Sequence, residues 1–275
     1  MAVKRIAVAS CAFGEHHEKL SQLTYPYLKE YARKIGADFV AFRERKYLSA
    51  PSHFEKFQIA DLLRDGVDAV LWADCDLVIN PESPSIFEIV PEGCFAAVED
   101  GVVRGIIAKE LECIAGHLGR MPEDRGFVYF NSGFFIACKG QERLFEVPDR
   151  LDYSVIGCYD QTLLNYRVAA YRMKYFALDS SWNVFWNDEK RIPSAKVVHF
   201  AGFPKTNFDE LRRRILRISP FRVGFVCRLC GGKEFGHTWT RKRPARYTGD
   251  RVVGSHAGPD GSRHPLFEEA SNCGE

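Results

Sequence analysis

Short apolar runs alternate along the chain with stretches whose apolar positions recur at helical spacing. Arg5 to Ser10 reads as a buried first strand, and Glu15 to Ile35 as an amphipathic helix interrupted by Pro26 and closed by Gly36. A second strand follows over Asp38 to Phe42. His53 to Arg64 has helical spacing and stops at Asp65-Gly66, after which Ala69 to Trp72 forms an apolar strand that ends in acids. Asn80 to Pro84 is a turn, Cys94 to Val98 a strand, and Val102 to Leu118 a helix. Gly119 to Gly126 is a polar loop of the kind that can move over a ligand. Asn131-Ser132-Gly133 reads as a turn that introduces the strand Phe134 to Cys138. Asp160 opens a helix to about Ala170, Met173 to Leu178 is a strand, and Ser180 to Asn183 is a polar–aromatic loop. A strand ending at His199 and a basic helix from about Phe208 to Ile218 complete the pattern.

This alternation predicts an α/β fold, a mostly parallel sheet flanked by helices. Periodicity vanishes from Gly231 onward, where glycine, proline and charge dominate. The expected division is therefore a folded domain over residues 1–220 and a basic, largely disordered tail over residues 221–275. No internal repeat is visible. There is no G-x-G-x-x-G after the first strand and no G-x-x-x-x-G-K, which argues against a dinucleotide oxidoreductase or a P-loop NTPase.

Composition adds bounds. The 275 residues are 46% hydrophobic and 27% charged, as in an ordinary globular protein. The net charge of +2 conceals a basic C-terminal third, with Arg212-Arg213-Arg214 and Arg241-Lys242-Arg243. Arginines beside Leu211, Ile215 and Leu216 suit peripheral contact with an anionic membrane. A nucleic-acid partner is not expected, since only charge speaks for it. Nine scattered cysteines indicate thiols in a reducing compartment, hence a cytoplasmic placement. Cys227 and Cys230 have zinc-knuckle spacing without a second well-spaced pair. No apolar run approaches the roughly 18 residues of a membrane span. Lys4-Arg5 followed by Ile6 to Phe13 imitates a signal peptide, but the helix directly after it favours a βα unit.

The chemistry concentrates at two strand ends. In Trp72-Ala73-Asp74-Cys75-Asp76, side chains two apart in extended chain face one side, so both carboxylates converge. Two converging acids call for a positive partner, and a hard divalent cation with open positions for phosphate oxygens supplies one. Far downstream, His199-x-x-Gly202-x-x-Lys205 offers an imidazole ligand, a glycine for close backbone approach, and a point charge for phosphate. Together these make a metal–diphosphate site.

The order of motifs resembles family 8 glycosyltransferases, the retaining, metal-dependent, nucleotide-sugar enzymes that include lipopolysaccharide galactosyltransferases and glycogenin. The resemblance rests on Asp74 and Asp76, Phe130-Asn131-Ser132-Gly133, Asp160-Gln161, and His199-x-x-Gly202-x-x-Lys205, and spans roughly residues 4 to 210. It implies the single-domain glycosyltransferase A fold, Rossmann-like. It further implies Mn²⁺ (Mg²⁺ as substitute) on Asp74, Asp76 and His199, and donor contacts at Ser10, Lys56, Asp74, Gly202 and Lys205. Catalytic roles fall to Asn131, Asp160 and Gln161 around the donor sugar and acceptor. The implied donor is a UDP-sugar and the acceptor a glycan or lipid-linked glycan. Thr206-Asn207 stand where the family commonly has Pro-Trp, a departure on the acceptor side. Two alternatives are a nucleotide-sugar pyrophosphorylase-like enzyme and a non-catalytic carbohydrate- or nucleotide-binding protein. The first would carry a Gly-rich basic loop in place of Ser10 to Glu15, and the second would have lost an acid or the histidine.

Overall fold

The computed structural model describes residues 4–101, 105, 107–119, 128–148, 159–203 and 207–218. Its frame is a six-stranded sheet in the order β2-β1-β3-β6-β5-β7. The strands are β1 (Ile6–Cys11), β2 (Asp38–Phe42), β3 (Ala69–Ala73), β5 (Phe95–Glu99), β6 (Phe130–Cys138) and β7 (Tyr175–Ala177). β1 pairs in parallel with β2 and β3, and β5 with β7, while β6 runs antiparallel between β3 and β5. Five strands thus share one direction, the mostly parallel α/β sheet expected. A second sheet, not foreseen, joins β4 (Leu77–Ile79), β9 (Val197–His199) and β8 (Val184–Phe185).

Alternation along the strands divides the core into two faces. Ala7, Ala9, Val70, Trp72 and Phe135 pack against α2 (Ile59–Arg64), α4 (Ala108–Leu118) and α5 (Tyr159–Ala170). Val8, Leu71, Ala73, Phe134 and Ile136 pack against α1 (Glu15–Ile35), the small sheet and α6 (Phe208–Ile218). A one-turn helix, α3 (Ile86–Ile89), follows the Asn80 to Pro84 turn.

Three expectations change. Pro26 does not interrupt α1, which runs unbroken through it to an αL cap at Gly36. An interior proline costs about 3 kcal/mol, and the burial of Tyr25, Tyr27, Leu28 and Tyr31 around it offsets that. The segment before β3 is a 3₁₀ stretch (Ser52–Gln58) feeding α2, not one helix. Asn131-Ser132-Gly133 lies inside β6, not in a turn before it. Trp182, in the polar–aromatic loop, is 1% exposed and stacks on Phe134, centroids 6.0 Å apart.

In α6, Leu211 and Ile215 are buried in the core, and the Arg214 guanidinium lies over Trp186 while bonding to Glu210. Those two apolar positions therefore face the domain, not a bilayer. No described helix is long and apolar enough to cross a membrane. Cys11, Cys75, Cys94, Cys113 and Cys138 are free thiols. The Cys227/Cys230 pair, the 241–243 basic run and most of the Gly119 to Gly126 loop lie outside the described residues.

Candidate active site

β3 stops at Ala73, and the chain turns through Cys75-Asp76 into β4. Leu77 N–H reaches back to the Asp74 carbonyl at 3.3 Å, so the acids converge across a turn and not along a strand. Cys75 is turned into the core while both acids remain partly exposed. Three neighbours fix the turn. Asp74 N–H donates to the Gly133 carbonyl (2.8 Å), Thr24 of α1 donates its hydroxyl to the Cys75 carbonyl (2.6 Å), and Phe200 N–H donates to the Asp76 carbonyl (2.9 Å). Trp72 Nε1–H then pins Asp74 Oδ1 at 2.7 Å.

The unforeseen sheet delivers the histidine. β4 and β9 pair antiparallel with Leu77 opposite His199, which sets the imidazole beside Asp76. His199 Nε2 lies 3.3 Å from Asp76 Oδ1. One ligand atom each from Asp74, Asp76 and His199 falls within 4.8 Å of the others. Gly133 makes room: a Cβ there would stand 2.5 Å from His199 Cε1 and 3.1 Å from Asp74 Oδ2. It needs the missing side chain for close approach, not for a positive φ.

Electrostatically the cluster is under-compensated. Lys56, 4% exposed, lies beneath the acids, its ammonium 2.7 Å from Asp160 and 3.4 Å from Asp74, with further bonds to Ser132 O and Oγ at 3.2 Å. Burial disfavours its charge, but Asp160 and Asp74 outweigh that and hold its pKa above the ordinary lysine value. Burial raises Asp74 above the usual carboxylate range, only partly countered by Lys56. For Asp76 burial works in the same sense, but His199 outweighs it and holds the carboxyl low; reciprocally, Asp76 outweighs burial and raises His199. Asp76 Oδ1 is buried and, among the described residues, has no hydrogen-bond partner of acceptable geometry, despite the nearby imidazole. An orphaned buried carboxylate oxygen among two more ligand atoms is what a divalent cation would satisfy. The donor set, two carboxylates and an imidazole, fits a divalent cation.

The catalytic candidates form a second group beside the acids. Asp160, in the first turn of α5, accepts from Ser132 Oγ as well as Lys56. Gln161 Oε1 accepts from Asn131 Nδ2 (3.1 Å) and Ser132 N–H (3.0 Å), and its amide donates to Asp100 Oδ2 (3.1 Å). Asn131, Asp160, Gln161, Asp74, Asp76, His199 and Lys56 are thus brought together. Ser10 is not: it is buried at the end of β1, facing Tyr25 on the α1 side. Its neighbour Cys11 takes the site side, where burial and then Asp74 push the thiol up. Gly202 sits exposed at φ +67° in the turn after β9, a backbone conformation that favours glycine, and no described protein atom lies within 4 Å of where its Cβ would be. Lys205 lies outside the described residues.

Sequence reasoning missed Asp100 and Asn183. Asn183 Oδ1 lies 3.0 Å from His199 Nδ1, and its Nδ2 donates to Asn131 Oδ1 at 3.0 Å. No local signal marks Asn183, because the strand it precedes, β8, is only two residues long.

The sequence model of the family described as "Glycosyl transferase family 8" matches residues 12–206. No curated protein sequence matches the chain at a significant level. A solved structure described as a glycosyltransferase involved in the glycosylation of the major capsid of PBCV-1 aligns with a TM-score of 0.53. It is 16% identical and covers 78% of this chain and 99% of its own, a likeness of fold, the glycosyltransferase A type.

Proposed function

The chain belongs to glycosyl transferase family 8, and we propose that it moves a hexose from a nucleoside-diphosphate sugar, a UDP-sugar, to a hydroxyl of a glycan or lipid-linked glycan, with retention. One observation carries this reading: Asp74, Asp76 and His199 converge on a point where a buried Asp76 oxygen lacks a hydrogen-bond partner among the described residues.

Cleaving the anomeric C–O bond leaves positive charge on the sugar and negative charge on the diphosphate. Asp74, Asp76 and His199 would hold Mn²⁺, with Mg²⁺ a weaker substitute, supplying Lewis-acid stabilisation of the leaving group. Lys205, six positions after His199 in the sequence, would offer the diphosphate a positive charge. Lys56 acts from below, keeping Asp74 and Asp160 oriented and limiting their mutual repulsion. Gln161 has both ends of its amide engaged by protein, so it is held rigidly. An amide is a poor nucleophile, which suits stabilising the sugar while the acceptor attacks from the face the diphosphate vacates. Asn131 and Asp160 shape the same wall.

The test is a panel of nucleotide sugars assayed for Mn²⁺-dependent hydrolysis and transfer, with thermal stabilisation as a parallel readout. One UDP-sugar should be turned over with Mn²⁺ and spared when a chelator is in excess. Full activity in excess chelator would retire the metal reading.

A further inference from the structure

An unbroken string of side-chain amides runs from the imidazole of His199 to the carboxylate of Asp100. His199 Nδ1 meets Asn183 Oδ1 at 3.0 Å, Asn183 Nδ2 meets Asn131 Oδ1 at 3.0 Å, Asn131 Nδ2 meets Gln161 Oε1 at 3.1 Å, and Gln161 Nε2 meets Asp100 Oδ2 at 3.1 Å. An amide can be turned end for end, so each orientation needs an independent reason. Three are present. An ionised Asp100 accepts only, so it requires the NH₂ end of Gln161. Ser132 N–H donates to Gln161 Oε1 at 3.0 Å, and Gly133 N–H donates to Asn131 Oδ1 at 3.0 Å. Backbone N–H groups within β6 cannot reverse, so Asn131 must show its oxygen to Asn183. Asn183 must then show its NH₂ to Asn131 and its oxygen to His199.

An oxygen at Nδ1 requires a proton on Nδ1. The neutral ring then carries its free lone pair on Nε2, the nitrogen that faces Asp76. Asn183 is 5% exposed and His199 2%, so water does not compete for this bond. We infer that Asn183 is a positioning residue that selects the Nδ1–H tautomer of His199 and turns Nε2 toward the metal site. The inference rests on the reading of Asp74, Asp76 and His199 as a divalent-cation site and adds a residue that holds the ligand in register. Metal-bound histidines elsewhere depend on such partners, whose loss costs about 10–100-fold in metal affinity.

The test measures Mn²⁺ binding alone, by the electron-paramagnetic-resonance signal of the free ion, on the parent chain and two variants. Asn183→Leu keeps the volume and removes the acceptor; it should weaken Mn²⁺ binding about 10–100-fold. Asn183→Asp keeps an acceptor at Nδ1 and should stay within a few-fold of the parent. Equal affinity for Asn183→Leu and the parent overturns the inference and leaves the metal site standing, as does an equal loss in both variants. No Mn²⁺ binding by the parent overturns the metal reading and the inference with it. Should Asn183→Leu fail to fold, ¹⁵N spectra of the histidine-labelled parent, taken above the imidazole titration, decide the matter. A protonated Nδ1 and bare Nε2 support the inference, and the reverse pattern overturns it.

Discussion

Glu55 and Asp76 both withdraw carboxylate oxygens from water, and the protein treats them in opposite ways. Glu55 is 0% exposed, and four donors meet its oxygens: Arg45 Nε at 3.1 Å, Lys46 N–H at 2.8 Å, Tyr47 N–H at 3.1 Å and Gln58 Nε2 at 2.8 Å. That carboxylate is finished; it ties the loop after β2 onto the 3₁₀ stretch before α2. Asp76 has an imidazole nearby and an oxygen at which no described residue aims a donor. Burying an acid without completing its shell is costly, and such cost is retained where function uses it. Of these two acids, the satisfied one ties the chain together and the unsatisfied one belongs to the candidate metal site.

The largest effect should come from the unfinished side. Asp76→Asn or His199→Ala should lower metal-dependent transfer by orders of magnitude while circular dichroism matches the parent. Undiminished turnover in either would break the contrast. Lys56→Met comes next. It strips the buried ammonium from Asp160 and Asp74, and loss of one partner of a buried pair costs about 3–5 kcal/mol. Chemical denaturation should show that loss, and activity should fall with it. An unchanged midpoint would mean that the acids do not need this cation.

Glu55→Ala should destabilise by about 2–3 kcal/mol, because two backbone N–H groups and Gln58 lose their acceptor. Turnover per folded molecule should hold, in contrast to Asp76→Asn, and lost turnover at full stability would erase the distinction between the two acids. Arg45→Met is the smallest, about 1 kcal/mol, since the guanidinium is a third exposed and water can replace part of its role. A larger cost than Glu55→Ala would show that the loop hangs on Arg45 and not on the carboxylate.

Much of this was legible in the sequence, for identifiable reasons. α1 and α6 have the bounds expected because apolar spacing and the Gly36 stop are strong local signals. β2 is apolar from Phe39 to Phe42 and reads directly. β4 and β8 were invisible: three and two residues cannot express a period. β6 was entered late because Asn131-Ser132-Gly133 has turn composition, although the glycine is there to let His199 and Asp74 close in. The acid pair was placed correctly at a strand end, but its convergence comes from the turn that β4 creates. Asn183 and Asp100 matter only through partners far away in sequence, and no local pattern encodes that.

The pairing of β4 with β9 has a consequence for the newly made chain. Leu77 meets His199 only after most of the folded domain has been synthesised. The two strands offer three residues each, so this contact closes a very long loop for little local reward. Closure of that kind belongs late in folding, after the β1–β2–β3 unit has formed from nearer neighbours. Nascent chains that have not yet released His199 can therefore be compact and yet inert. In refolding, metal binding should appear after the bulk of the helical signal, once β9 docks on β4.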